Sequence, residues 1–372
     1  MKRFWVIVCT LLALFSLAAA CEWDSDTLAQ ELRGMPDILG VIAGRFDRNP
    51  PLYYEMRLDR VNKEIGSGAK ELELFDDAGV ACDKLGRPDE AIGWMEKKRA
   101  VLDGLTAPDS EHEYRYYANL GTFYVHRWFK TQDRADLSDL KTGLAHLERG
   151  IEINPDAHFG REKVQVALIQ HMIWEFSGAE GTMPAVGVSK EEMREGLIGI
   201  IVLGGAWESP DVWNWLMGTF PFEDSHIQYM IKWRVEGLVE SGKERMLERT
   251  PDLLDDGYSM PEDEKETRTY YASLRKNGEE FQRNREEFMI AKLEAGKHPD
   301  TDKDFWDGYV ETPPIGAPKE VPMRQVRNEA MFSGFNTGIF VGAILGVILT
   351  LVSVFAISLV RKKLKKKRSV AQ

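Results

Sequence analysis

The sequence predicts an all-α body of helical hairpins with further helices, followed by one C-terminal transmembrane helix. Three observations predict it. No strand-like alternation of apolar and polar residues runs for long between residues 22 and 310. Helix start and stop residues recur densely through the same region. Two uncharged apolar segments, 4–20 and 330–360, flank a strongly charged body.

The chain has 372 residues, 43% of them hydrophobic and 10% aromatic, enough for a substantial core and unlike a disordered chain. Its formal charge is −12, unevenly spread. Lys2, Arg3 and the tail at 361–368 hold nine of the 48 basic residues, so residues 21–336 set 39 basic against 60 acidic residues. A body that acidic is a poor partner for nucleic acid. Three cysteines exclude a disulfide-built scaffold and a four-cysteine zinc site.

The N-terminus has the parts of a secretory signal over residues 1–20: Lys2-Arg3, an apolar run and the small-residue exit Ala18-Ala19-Ala20. Cleavage after that exit is the first reading, an uncleaved anchor the second. Cys21 follows at once, which resembles a bacterial lipoprotein signal, although Leu17 stands one place too early. Lipidation, a free thiol and a disulfide with Cys82 stay open.

Residues 339–360 are almost wholly apolar and long enough for a bilayer. Seven basic residues follow, so the tail at 361–372 is expected in the cytoplasm and the acidic body outside the inner membrane. Gly338, Gly342 and Gly346 recur at every fourth position, which puts them on one helix face that a second helix could approach closely.

Within the body, residues 21–69 carry helix signals: Thr27 to Gln30 as a capping box, Pro36 and Pro51 as openers, Gly34 and Gly44 as stops. Residues 70–177 read as hairpins. Residues 178–260 hold helices at 191–202, 210–217 and 227–239, with Trp207, Trp213, Trp215 and Trp233; the reading is core rather than a binding surface. Residues 261–311 hold one long charged helix, 261–296, with Gly278 as its weak point, and an acidic loop. Pro313, Pro314, Pro318 and Pro322 stiffen a linker over 312–329.

The hairpin at 72–103 resembles the tetratricopeptide repeat, a helix-turn-helix unit. Phe75 takes the aromatic slot, Ala78-Gly79 the Leu-Gly pair, Cys82 the Tyr slot, Gly86 the turn, and Ala91 and Met95 the second-helix slots. Lys98 departs from the expected small residue and Asp103 from the closing proline. A second copy starts at Tyr114, with Tyr117, Leu120-Gly121 and Tyr124, then Gly143, Leu147, Gly150-Ile151 and Asn154-Pro155. The wide spacing from Gly121 to Gly143 marks 130–138 as an inserted loop or an extension of both helices. A third first-helix, 158–174, follows without the glycine signature. The layout is also similar to bacterial envelope proteins with short tetratricopeptide arrays.

This resemblance implies binding through the concave face of the first helices. Its positions are Glu73, Asp76, Val80, Asp83 and Lys84, then Arg115, Ala118, Thr122, Val125 and His126, then Phe159, Glu162 and Val166. The Lys-and-Asn set that clamps a peptide carboxylate in chaperone-binding members is not reproduced, since Thr122 takes a key Asn slot. The expected function is a membrane-anchored adaptor or scaffold for an unidentified protein partner. The alternative is an assembly subunit that contacts copies of itself or a membrane complex through the glycine face. An envelope enzyme with a non-local site ranks third.

No catalytic residue, cofactor or metal site is expected. The seven histidines are scattered, and no zinc-protease, phosphate-loop or nucleophile-elbow motif is present. Asp300, Asp302, Asp304 and Glu311 have calcium-loop offsets, but Phe305 stands where that loop needs glycine, and Pro313-Pro314 blocks an exiting helix.

Overall fold

The chain folds as twelve α-helices with no strand among the described residues, which in this computed structural model are 22–155, 161–251, 254, 261 and 263–318. The helices are α1 (Ser25–Arg33), α2 (Ile38–Ala43), α3 (Pro51–Gly66), α4 (Leu72–Lys84), α5 (Pro88–Asp103), α6 (Ser110–Thr131), α7 (Ser138–Ile153), α8 (Arg161–Phe176), α9 (Lys190–Val202), α10 (Pro210–Gly218), α11 (Ser225–Glu240) and α12 (Glu264–Glu294). The described residues belong to one compact unit, Met1–Met323. The signal segment, Cys21, the glycine face at Gly338, Gly342 and Gly346, the membrane span and the basic tail all lie outside them. Among the described residues no helix is long and apolar enough to cross a membrane.

Local signals explain most boundaries. Pro51, Pro88 and Pro210 stand at helix starts, where their missing N–H costs nothing. Ser189 and Glu192 form a reciprocal capping box on α9. Gly44 ends α2 in the left-handed region at φ 84°. One cap differs from expectation: α1 begins two residues before Thr27, because the Asp24 carboxylate accepts the Thr27 N–H at 2.8 Å.

Consecutive helices pack on one another from α3 to α9, giving an array of hairpins. Small residues set the close contacts. Ala91 is fully buried between α4 and α5. A Cβ on Gly121 would stand 2.8 Å from the Gly143 oxygen, and one on Gly143 2.7 Å from the Gly121 oxygen, so α6 and α7 meet backbone to backbone. The wide spacing between these glycines is resolved chiefly by helix length, since α6 runs 22 residues to Thr131 before a short loop. The third hairpin, α8 with α9, has its small residue on the second helix: a Cβ on Gly196 would overlap Val164.

The long helix α12 turns back to pack on α2, α3 and α11. Gly278 is therefore a contact rather than a weak point. A Cβ there would lie 1.8 Å from the Ala43 oxygen at the end of α2. Trp207, Trp213, Trp215 and Trp233 are all buried in the larger apolar core, with α8, α9, α10 and α11 around them.

Candidate functional site

The inner faces of α4, α6 and α8 form a groove, and residues 22–26 of the same chain lie in it. Asn119 is fully buried on α6. Its side chain accepts the Trp23 N–H at 2.7 Å and donates to the Trp23 oxygen at 3.0 Å. The Trp23 ring stands edge-on to Tyr114, donates from Nε1 to the Tyr114 hydroxyl at 3.2 Å, and lies under the Arg115 guanidinium. Tyr114 in turn donates to Glu162 at 2.6 Å, whose carboxyl burial pushes up. Asp77 accepts the Ser25 N–H at 2.9 Å and its hydroxyl at 3.1 Å.

This occupancy decides where the expected concave-face residues stand. Glu73 is exposed and pairs with His112, and Arg115 is partly buried. Asp76, Val80, Asp83, Thr122, His126 and Glu162 are buried. Thr122 accepts from Gln165 at 3.1 Å, while the amide that meets a main chain is Asn119, just under one turn earlier on α6. Phe159 lies outside the described residues. Lys98, the departure from the repeat pattern, is fully buried and donates to both oxygens of Asp76 at 2.7 and 2.6 Å. Asp76 also accepts from Asn119 at 3.0 Å, so Lys98 and Asp76 orient the amide that holds Trp23.

At one end of the groove Glu22, Asp83, Lys84 and His126 meet. Lys84 pairs with Glu22 at 2.5 Å, and His126 Nδ1 with Asp83 at 2.5 Å. Burial, with Asp83 close by, pushes the Glu22 carboxyl well up. Burial acts the same way on Asp83, but His126 outweighs it and holds Asp83 below its ordinary value. Of the two carboxyls, Glu22 is therefore the more readily protonated. Glu22 Oε1, Asp83 Oδ1 and His126 Nε2 are buried with no hydrogen-bond partner among the described residues. One ligand atom from each of the three residues lies within 4.8 Å of the others, within reach of one divalent cation, though the Lys84 ammonium already supplies positive charge there.

At the other end Arg57 is 1% exposed and gathers three carboxylates. It meets Asp24 at 3.2 Å, Asp26 at 2.9 Å and Asp300 at 2.7 Å. Tyr53 donates to Asp26 at 2.6 Å and stacks on His298. One guanidinium shared three ways leaves Asp24 short of compensation: burial and Asp26 raise it to about 7 against the pull of Arg57. Asp300 has Arg57 and Arg60 and is held at about 2 although burial opposes this.

The four acids with calcium-loop spacing are thus dispersed among protein partners. Asp300 serves Arg57, Asp302 accepts the His298 N–H at 2.9 Å, Asp304 meets Lys297 at 3.0 Å and Glu311 meets Arg45 at 2.9 Å. Cys82 is buried with no disulfide partner among the described residues, and burial pushes its thiol up to about 12; Cys21 lies outside them. Trp23, Asn119 and Lys98 were not legible as site residues; the only sequence signal was Lys98 in a slot that wants a small side chain. No protein-family model, curated protein or solved structure matches the chain.

Proposed function

We propose that the chain is a tetratricopeptide-like adaptor of the bacterial cell envelope that binds a partner protein through the inner groove of its helical hairpins. One observation carries the reading. The groove already holds main chain of the segment that leads into α1, by pairing Asn119 with the Trp23 backbone. A side-chain amide that satisfies both backbone groups of a residue recognises extended peptide with little regard to side chain. The apolar segment at 330–360 anchors the chain, with the acidic body outside and the basic tail inside.

Proximity labelling from the body in intact envelopes, followed by mass spectrometry, tests this. The reading expects recurrent protein partners whose yield changes when Asn119 is replaced by Ala. Labelling that returns only the chain itself, unchanged by the substitution, would overturn it in favour of self-assembly.

A further inference from the structure

We propose that Arg48, Arg234 and Arg275, gathered around the Trp207 indole, form a binding site for a phosphate group. The three guanidinium carbons lie 4.8, 4.1 and 4.8 Å from the Trp207 ring centre. They come from three separate parts of the chain: the loop before α3, α11 and α12.

Carboxylates do not neutralise this knot. Among the described residues neither Arg48 nor Arg234 has an ion-pair partner, and Arg275 has only the exposed Glu279 at 3.5 Å. Glu208 and Glu286 also act on Arg48 from nearby, and Glu208 is already paired with Lys243. Apart from the Arg275 donor to Glu279, the donors that are used go to backbone oxygens. Arg275 donates to Ala43 at 2.8 Å, Arg48 to Gly44 at 3.3 Å and Arg234 to Trp207 at 2.9 Å. The end of α2 therefore accounts for part of the arrangement, but a helix C-terminus offers only roughly half a negative charge. Arg48 Nε and Arg234 Nε remain buried without a hydrogen-bond partner.

The charges also repel each other. Burial, and then the neighbouring Arg275, pulls Arg48 down to about 10 and Arg234 down to about 9. A bound dianion would reverse that strain and fill the vacant donors, and the planar guanidinium fork suits phosphate oxygens. Of the knot, Arg48 and Trp207 line a cleft of about 680 Å³, and the six acids that also line it, Glu22, Asp24, Asp26, Asp47, Glu208 and Asp300, are each paired with a basic side chain. Inorganic phosphate, a soluble phosphomonoester and a lipid phosphate head share this chemistry.

Equilibrium dialysis of the purified full chain against labelled inorganic phosphate, in chloride at matched ionic strength, tests the site. Saturable binding is expected, weakened about tenfold or more by Arg234→Leu or by Arg48→Gln, since each removes a charge-assisted contact. A parallel flotation assay compares phosphatidylcholine vesicles with vesicles of three parts phosphatidylcholine to one part phosphatidic acid. Arginine-dependent recruitment to the second vesicles without binding of free phosphate assigns the site to a lipid head; the reverse assigns it to a soluble phosphate. Wild-type chain that neither binds phosphate nor distinguishes the vesicles overturns the proposal. So does binding that is equal in wild type and in either variant that keeps the wild-type helical circular dichroism.

Discussion

Asn119 and Trp23, 96 positions apart in the chain, are joined through both backbone groups of the tryptophan. The amide is fixed from behind by Asp76 and, through it, by Lys98. The oriented amide holds main chain, and its occupant is the protein's own segment.

Replacing Asn119 by Ala should release that segment. The Trp23 N–H and oxygen lose their partner in a buried setting, a cost of about 1–3 kcal/mol. Hydrogen exchange read by mass spectrometry should show amides at residues 23–27 losing protection well beyond the change in the hairpins. Protection that falls evenly over the whole body would mean that Asn119 acts only as a general core residue.

Lys98→Met should be costly for a different reason. It leaves the Asp76 carboxylate buried with only Asn119 at 3.0 Å and His112 at 3.8 Å beside it, and breaking such a pair costs about 3–5 kcal/mol. Adding Asp76→Asn should restore part of the loss. Urea denaturation of wild type, both single variants and the double variant gives the coupling directly. Additive effects would show that the two residues are not energetically linked.

Two glycines in helix interiors should respond oppositely to alanine. At Gly278 the new Cβ would meet the Ala43 oxygen at 1.8 Å, so α12 must move off the end of α2, costing about 1–3 kcal/mol or more. At Gly93, on α5, nothing lies within 4 Å of the new Cβ, and alanine should stabilise by about 0.5–1 kcal/mol. Thermal melts of the two variants check this; a lower melting temperature for Gly93→Ala would contradict it.

Asp24 should make stability fall from mildly acidic toward alkaline pH. Asp24 is raised to about 7, so the folded chain keeps a proton that the unfolded chain releases near the ordinary aspartate value. Its contribution is complete below that ordinary value and is lost as pH rises through about 7; Glu22 acts in the same direction. Asp300 has the opposite sign, being held at about 2, so its contribution is lost only as pH falls below the ordinary value toward about 2. Asp24 should therefore contribute a decline in melting temperature between about pH 5 and 8, opposed near the acid end by His146 and His298, which burial holds down, and Asp24→Asn, which keeps an oxygen for the Thr27 N–H, should flatten the Asp24 part of the slope. An unchanged slope in Asp24→Asn would remove Asp24 as its source.

The sequence by itself determined the helices and the way neighbours pair. Prolines at helix starts, the small residues of the hairpins and the cluster of tryptophans are all signals carried by short stretches of sequence. Such patterns are local, and a helical hairpin is stabilised locally, so a short window suffices to see them. Only the tertiary structure decided what fills the groove, why Lys98 is tolerated beside Asp76, which amide faces the bound main chain, why Gly278 admits no side chain, and that Arg48, Arg234 and Arg275 share one indole. Each of these depends on segments far apart in the chain meeting at a few ångströms. Hydrophobic burial drives the collapse that brings them together without direction, and the pairings are then selected by close packing and by the cost of leaving a buried charge or amide without a partner, which no local period records.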